Sequence, residues 1–166
     1  LYAIAAAQAH GPAQGAMLPA PASLTLIDPA PITRAHRATF EAAMAARAQA
    51  PAVQALRAEV AASGLRERDP AAYQQRTFEL AVAGYFHDPS LARDLTPFRV
   101  TGRVQQQVWE SLGDYDLTPR LAPVRAPTLV VHGREDPIPL ASSEAIAAAL
   151  PDARLAVLEA CGHVPY

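Results

Sequence analysis

The fold of this chain is decided by the stretch Pro127-Thr-Leu-Val-Val-His-Gly-Arg-Glu-Asp-Pro-Ile-Pro139. Its first half is apolar and β-branched without interruption, which is typical of a strand buried on both faces of a parallel sheet. Residues 142–150 then have a helical pattern, for which Ser142 or Ser143 is the predicted N-cap. Residues 154–159 return to a strand pattern. This order predicts a βαβ unit, and therefore an α/β fold with a parallel sheet.

The chain before this unit contains one further strand and a long helical block. Ser23-Leu-Thr-Leu-Ile27 is predicted to be a buried strand that Asp28-Pro29 ends. Residues 1–10 are rich in alanine and predict a helix. From 32 to 118 helical periodicity dominates, so this block should form about four amphipathic helices. Breaks between these helices are predicted at Pro51, Ser63-Gly64, Asp69-Pro70, His87-Asp-Pro89 and Gly113.

Composition and charge exclude several classes of protein. The 166 residues are 51% hydrophobic and carry a net charge of −2, which excludes a disordered acidic or basic tail. No apolar run approaches the ~18 residues that a membrane-spanning helix requires. The balanced charge gives no electrostatic footprint for nucleic acid or an anionic membrane, so we expect neither as a partner. The single cysteine, Cys161, cannot form an internal disulfide, and we expect it to be a small buried residue.

Two polar residues stand just past the ends of two predicted strands, namely Asp136 and His163. If these strands lie near each other in one parallel sheet, both side chains project from the edge where ligands bind. An aspartate bonded to Nδ1 of a histidine fixes the tautomer, and the histidine can then accept a proton from a nucleophile. Taken singly, Asp136 suits a turn former and His163 a structural residue. The pair, in this order across one βαβ unit, favours an acid–base role.

The residues around this pair resemble a known family. Val130-Val-His-Gly-Arg-Glu-Asp-Pro-Ile-Pro139 and Ala153-Arg-Leu-Ala-Val-Leu-Glu-Ala-Cys-Gly-His-Val-Pro165 are similar to the end of an α/β-hydrolase domain. In that fold the catalytic residues follow the order Ser, then Asp or Glu, then His. The resemblance therefore implies that Asp136 is the catalytic acid and His163 the catalytic base.

The same resemblance implies a division of the chain into three sections. Residues 1–31 would be a core segment, made of the helix that follows the nucleophile elbow and then a strand. Residues 32–118 would be an all-helical cap inserted into the core. Residues 119–166 would be a second core segment that holds a strand, the acid turn, a helix, a strand and the histidine loop.

Within this superfamily the helical block is most similar to the proline iminopeptidase group. The segments that carry this likeness are Phe78-Glu-Leu-Ala-Val-Ala-Gly-Tyr-Phe86 and Leu95-Thr-Pro-Phe-Arg-Val-Thr-Gly102. The likeness implies a serine hydrolase that releases N-terminal proline or small residues from short peptides, with water as the second reactant and no cofactor. The expected partner is thus a small-molecule or short-peptide substrate. We expect a cytoplasmic protein, and the oligomeric state stays open.

Cap glutamates hold the substrate ammonium group in that group of enzymes. Glu79 and Glu110 lie on predicted cap helices near aromatic residues and are the candidates here, with a solvated helix face as the alternative for both. Four aromatic residues could line a pocket for a proline ring, although packing in a core is the alternative for each of them: Phe78, Tyr85, Phe86 and Trp109.

The chain departs from the family at the nucleophile, because it contains no Gly-x-Ser-x-Gly. In the family the nucleophile precedes the helix that the start of this chain resembles. We therefore expect a C-terminal fragment that lacks the nucleophile elbow and is inactive alone. The alternatives are an aspartate nucleophile, as in a haloalkane dehalogenase or epoxide hydrolase, or a serine with another cap, as in an esterase, lipase or C–C hydrolase. A truncated non-catalytic homologue or a helical interaction module is a further alternative.

Asp28 competes with Asp136 for the role of the acid, because it also follows a strand. We favour Asp136, since Asp28-Pro29 also suits a turn at the entry to the helical block. The remaining histidines have spacing that fits no metal template. His132 suits a strand-end residue, and three others are expected to face solvent: His10, His36 and His87.

Overall fold

A computed structural model of the protein describes residues 21–96 and 102–165. Three strands form one parallel sheet in the order β1-β2-β3: β1 is Leu24–Ile27, β2 is Thr128–Gly133 and β3 is Ala153–Leu158. The register pairs Leu26 with Val130 and Val130 with Leu155. The predicted α/β fold and its three strands are confirmed over the described residues. The predicted helix at 1–10 and His10 lie outside them, as do residues 97–101 of the second cap segment.

Five helices separate β1 from β2 in the described part of the chain. They are α1 (Arg34–Ala48), α2 (Pro51–Ala62), α3 (Leu65–Arg68), α4 (Pro70–Val82) and α5 (Gly102–Leu112). Short 3₁₀ helices follow α4 at Ala83–Tyr85 and Pro89–Asp94, and another precedes β2 at Thr118–Arg120. The division of the chain at 31 and 118 into core and cap domains stays a prediction.

Four of the five predicted breaks coincide with the ends of these helices, and each of the four has a local cause; the fifth, His87-Asp-Pro89, falls between two 3₁₀ helices. Pro51 occupies the first turn of α2, where its missing N–H costs nothing. Gly64 and Gly113 have φ values of 63° and 58°, in the left-handed region that glycine tolerates best. The Asp69 side chain accepts a hydrogen bond from Ala72 N at 3.0 Å and so caps α4.

The helix between β2 and β3 starts earlier than the sequence predicts. Helix α6 spans Leu140–Ala149, and its N-cap is Pro139, with no side-chain capping bond. The prediction that Ser142 or Ser143 caps this helix is therefore wrong. Both serines lie in its first turn, fully buried, and their hydroxyl groups bond to other parts of the chain.

The main hydrophobic core lies between α6 and the face of the sheet that packs against it. Its buried members are Ile32, Leu121, Val124, Val130, Ile146 and Leu150. A second cluster, within the helical segment, is built around Val53, Val82, Ala83 and Ala92. The parallel strands end at the same edge of the sheet, so the residues that follow β1, β2 and β3 converge there. None of the helices in the described ranges is both long and apolar enough to cross a lipid bilayer.

Candidate active site

The structure brings Asp136 and His163 into direct contact. Nδ1 of His163 lies 2.8 Å from Oδ2 of Asp136, the distance of a charge-assisted hydrogen bond. The Asp136 side chain is fully buried, whereas the His163 side chain remains 29% exposed. A buried carboxylate that orients a partly accessible imidazole is the arrangement expected of an acid–base pair.

The turn after β2 fixes the Asp136 carboxylate from its other side. Asp136 N donates to Gly133 O at 3.0 Å, which closes the turn. Oδ1 of Asp136 accepts from Ile138 N at 2.7 Å. With Oδ1 held by the backbone, Oδ2 is left to face His163, so the Gly-x-x-Asp-Pro-Ile sequence serves both as a turn and as a support for the imidazole.

The loop after β3 holds His163 against the helical segment. His163 N donates to Tyr85 O at 2.7 Å, and the two rings have centroids 5.1 Å apart. Gly162 packs so closely on the Tyr85–His87 backbone that a Cβ there would overlap main-chain atoms. Only glycine fits before His163 for this reason.

The pKa of His163 is raised above its ordinary value of 6.5. Burial alone would lower the pKa, since it disfavours the imidazolium. The hydrogen bond and charge of Asp136, together with the charge of Asp28, outweigh burial and favour the protonated ring. The surroundings of His163 therefore stabilise the form that a general base adopts after it has taken a proton.

Asp28, the competing acid, lies at the same edge but does not bond to His163. Its Oδ1 accepts from Gly133 N at 2.8 Å and ties the end of β1 to the end of β2. Its Oδ2 is buried with no hydrogen-bond partner in the described part of the chain, and its φ of 42° is left-handed. Burial is the first cause that raises the pKa of Asp28, and the nearby charge of Asp136 adds to it. The geometry thus favours Asp136 over Asp28 as the partner of His163.

His132 and Ser143 form a buried polar contact near Asp136, and the sequence does not predict it. Nε2 of His132 lies 3.1 Å from Ile138 O, and its Nδ1 lies 2.9 Å from Ser143 Oγ. Because a carbonyl can only accept, Nε2 carries the proton, and in the neutral ring Nδ1 accepts from the serine hydroxyl. His132 thus holds Ile138 in place, and the backbone N–H of Ile138 in turn holds the Asp136 carboxylate. A histidine at the end of an apolar strand, followed ten and eleven residues later by two serines, is the signal that the sequence contains.

The other histidines are placed as follows. His87 is exposed, as predicted. His36 is half-buried, and its Nδ1 is buried without a hydrogen-bond partner within residues 21–96 and 102–165, so the expectation that it faces solvent is wrong. Cys161 is partly rather than fully buried, because it lies in the loop that leads to His163.

Asp28, His132 and Asp136 offer one donor atom each within 4.8 Å of one another. These residues do not fit a metal ion, because both nitrogens of His132 and both oxygens of Asp136 already bond to protein groups. Asp28 Oδ2 is the one atom of this set left without a partner among the described residues. A single free oxygen does not make a coordination sphere.

The predicted ammonium ligands bond to neighbours on their own helices, with no hydrogen bond to Asp136 or His163 among the described residues. Glu79 forms an ion pair with Arg76 and accepts from Gln75 Nε2 at 3.1 Å, so its charge is already matched. Glu110 is exposed on α5 and accepts from Gln106 Nε2 at 2.7 Å. The structure brings neither glutamate to His163, and their substrate role stays a prediction.

The structure places the four aromatic candidates as follows. Tyr85 contacts His163, as described above. Phe78 and Phe86 pack with Tyr85 on the second hydrophobic cluster. Trp109 stacks on Tyr115 with centroids 6.4 Å apart, and the Arg37 guanidinium lies 4.6 Å from its ring centroid. Packing is therefore the observed arrangement for three of these residues.

The family follows from this fold and this pair of residues. The sequence model of the alpha/beta hydrolase family matches residues 2–166, and the chain belongs to that family. The crystal structure of VinJ has the same fold, with a TM-score of 0.50 and 19% identity over 98% of this chain and 55% of VinJ.

Two curated relatives match shorter segments. Pimeloyl-[acyl-carrier protein] methyl ester esterase from Aromatoleum aromaticum is 47% identical over 58 residues, which cover 34% of this chain and 23% of that enzyme. The 2-hydroxy-6-oxo-6-phenylhexa-2,4-dienoate hydrolase from Burkholderia cepacia is 43% identical over 53 residues, which cover 31% of this chain and 18% of that enzyme. The matched part is thus less than a quarter of the length of each relative. The two names describe enzymes that act on different substrates.

Proposed function

We propose that this chain supplies the acid–base pair of a hydrolase, with His163 as general base and Asp136 as the acid that orients it. The observation that carries the proposal is the 2.8 Å contact between His163 Nδ1 and Asp136 Oδ2 at the carboxyl edge of the parallel sheet. Family membership over 2–166 supports the same chemistry.

The proposed reaction uses the free face of the imidazole. Within the described residues, Nε2 of His163 has no protein hydrogen-bond partner, and the side chain is partly exposed. Nε2 accepts the proton of a nucleophile as that nucleophile attacks the substrate carbonyl, and Asp136 stabilises the imidazolium that forms. Nε2 then returns the proton to the leaving group, and water releases the acyl group in a second, similar step.

The nucleophile is proposed to lie on a segment that precedes Leu1 in the family order. All six serines of the chain are among the described residues, and none bonds to His163. Ser142 and Ser143 lie in the first turn of α6, where both are fully buried with occupied hydroxyl groups. An aspartate nucleophile is the alternative, and it would make the protein a haloalkane dehalogenase or an epoxide hydrolase.

A carboxylic ester is the substrate class that we put first. The support is the 47% identity, over 58 residues, to an enzyme whose name is that of a methyl ester esterase. An aminopeptidase that releases N-terminal proline is the second candidate, and it is supported by the likeness of residues 78–86 to that group. It requires a carboxylate for the substrate ammonium, and Glu79 would have to exchange its Arg76 partner to provide one.

The proposal is tested on the protein expressed from the complete reading frame that contains this chain. A panel of a short-chain p-nitrophenyl ester, prolyl p-nitroanilide and a haloalkane separates ester, peptide and dehalogenase chemistry. We expect turnover of the ester. Turnover of the prolyl anilide alone would favour the aminopeptidase, and no turnover of any of the three would contradict an active hydrolase of these classes.

A further inference from the structure

We infer that Arg47 is a positioning residue, whose guanidinium fastens helix α1 to the turn that carries Asp136 and to the short helix that holds His163. The inference rests on the proposed function, in which Asp136 and His163 act together. Arg47 lies in the last turn of α1, far from both residues in sequence.

The guanidinium of Arg47 bridges two carbonyl groups from different parts of the chain. Nη1 donates to Gly84 O at 2.9 Å, in the 3₁₀ helix Ala83–Tyr85. Nη2 donates to Glu135 O, the carbonyl next to Asp136 in the turn after β2. The planar fork of arginine suits two acceptors held side by side, which a lysine ammonium cannot match with the same geometry.

The two carbonyl groups belong to a closed chain of contacts around the acid–base pair. On one side, Gly84 is followed by Tyr85, whose carbonyl accepts from His163 N at 2.7 Å. On the other side, Glu135 N donates to Cys161 O at 2.9 Å, and Glu135 Oε2 accepts from Cys161 N at 2.9 Å. Arg47 therefore joins the two backbone segments that place His163 and Asp136.

The position of the charge agrees with this role. Burial lowers the pKa of Arg47, whereas the charges of Asp136 and then Glu135 act in the opposite direction. The guanidinium thus lies within electrostatic reach of the acid while its hydrogen bonds go to neutral carbonyl groups. Gly84 also fits closely here, because a Cβ on it would lie 3.3 Å from Met44 Cε and 3.6 Å from Arg47 Cβ.

A purely structural arginine and a positioning arginine predict different measurements. Loss of a structural residue lowers the melting temperature but leaves the turnover of the folded fraction unchanged. Loss of a positioning residue lowers kcat at little change in KM, because a shift of about 1 Å at the reacting groups can cost roughly a hundredfold in rate. It also loosens the His163 backbone N–H, which is a local event that hydrogen exchange resolves.

The test uses Arg47→Lys and Arg47→Ala in the protein from the complete reading frame, with Arg57→Lys and Arg57→Ala as controls on the exposed face of α2. We expect the Arg47 variants to lose about ten- to a hundredfold in kcat, with KM within about twofold of the wild type. We expect the His163 amide to exchange at least about tenfold faster than in the Arg57 variants. Methylguanidinium at millimolar concentration should restore part of the rate to Arg47→Ala and none to Arg57→Ala.

The inference is overturned if Arg47→Lys matches Arg57→Lys in kcat and in exchange at His163, or if methylguanidinium leaves Arg47→Ala unchanged. An Arg47→Ala protein that unfolds without rescue by methylguanidinium also counts against it. The exchange comparison needs no substrate, so it tests Arg47 even if the wild type hydrolyses nothing and the proposed function fails.

Discussion

The backbone N–H of His163 donates to the carbonyl oxygen of Tyr85 at 2.7 Å, so the helical segment holds the main chain of the residue whose side chain bonds Asp136. Tyr85 ends the 3₁₀ helix Ala83–Tyr85, and His163 follows the last strand. The site is thus assembled from the helical segment as well as from the sheet. Changes in the helices should therefore reach the Asp136–His163 pair.

Asp136→Asn should lower the pKa of His163. The wild-type pKa lies above 6.5, because the bond and charge of Asp136, with the charge of Asp28, outweigh burial. An asparagine keeps the size of the side chain and an acceptor for Ile138 N but removes the charge. Titration of the His163 ring by NMR measures the shift, and a pKa that stays at the wild-type value would contradict the assignment of its cause.

The same pair should make stability depend on pH in a defined direction. A histidine whose pKa is higher when folded stabilises the protein below its unfolded pKa, and this contribution disappears as the pH rises through the folded pKa. Urea unfolding of the wild type should thus lose stability above about pH 6.5 relative to His163→Ala. A difference between the two proteins that is constant from about pH 5.5 to about pH 9 would contradict this linkage.

Gly162→Ala should disturb the site far more than the same change at Gly113. A Cβ at Gly162 overlaps the Tyr85 carbonyl, whereas a Cβ at Gly113 meets nothing within 4 Å and only adds strain to a φ of 58°. We expect Gly113→Ala to cost about 1 kcal/mol in the free energy of unfolding and Gly162→Ala several times as much. Chemical denaturation of both variants measures this, and equal costs would contradict the close packing at Gly162.

Ser143→Ala should destabilise the protein through His132. The change leaves Nδ1 of a fully buried imidazole without its 2.9 Å partner, which costs about 1–3 kcal/mol. Ser111→Ala is the control, because its hydroxyl bonds Val108 O on an exposed helix and should cost less than about 1 kcal/mol. Equal free energies of unfolding for the two variants would contradict a stabilising contact between Ser143 and His132.

Asp28→Asn should be tolerated at neutral pH, whereas Asp28→Ala should not. The asparagine keeps an acceptor for Gly133 N, suits the φ of 42° and removes a buried carboxylate that has an unpaired oxygen. Alanine leaves Gly133 N–H unsatisfied, at a cost of about 1–3 kcal/mol. Thermal melts at pH 7 compare the two, and a melting temperature for Asp28→Asn as low as that of Asp28→Ala would contradict this account.

The sequence predicts the strands and the Asp136–His163 contact because both follow from local rules. Apolar β-branched runs fix the strands, and parallel strands bring their carboxyl ends to one edge. Glycine and proline fix the helix breaks in the same way, as at Pro51 and Gly64.

The parts that the sequence does not predict depend on contacts between distant segments. Ser143 resembles a helix cap locally, yet its hydroxyl serves His132, eleven residues away, because β2 and α6 pack together. Arg47 shows no motif in the sequence, since its hydrogen bonds form where the helical segment meets the turn after β2. Glu79 forms an ion pair with Arg76, three residues before it on the same helix. A search of the sequence for residues that bind substrate does not detect this local pair.

The most direct test of the central claim is the kcat/KM of His163→Ala toward the ester that the wild type hydrolyses, in the protein from the complete reading frame. If His163 is the general base, we expect a loss of at least about a thousandfold, with the fold preserved by circular dichroism. Asp136→Asn should lose activity too, since the imidazole loses its orienting charge. A His163→Ala protein that keeps its activity within about tenfold of the wild type would contradict the role assigned to the pair.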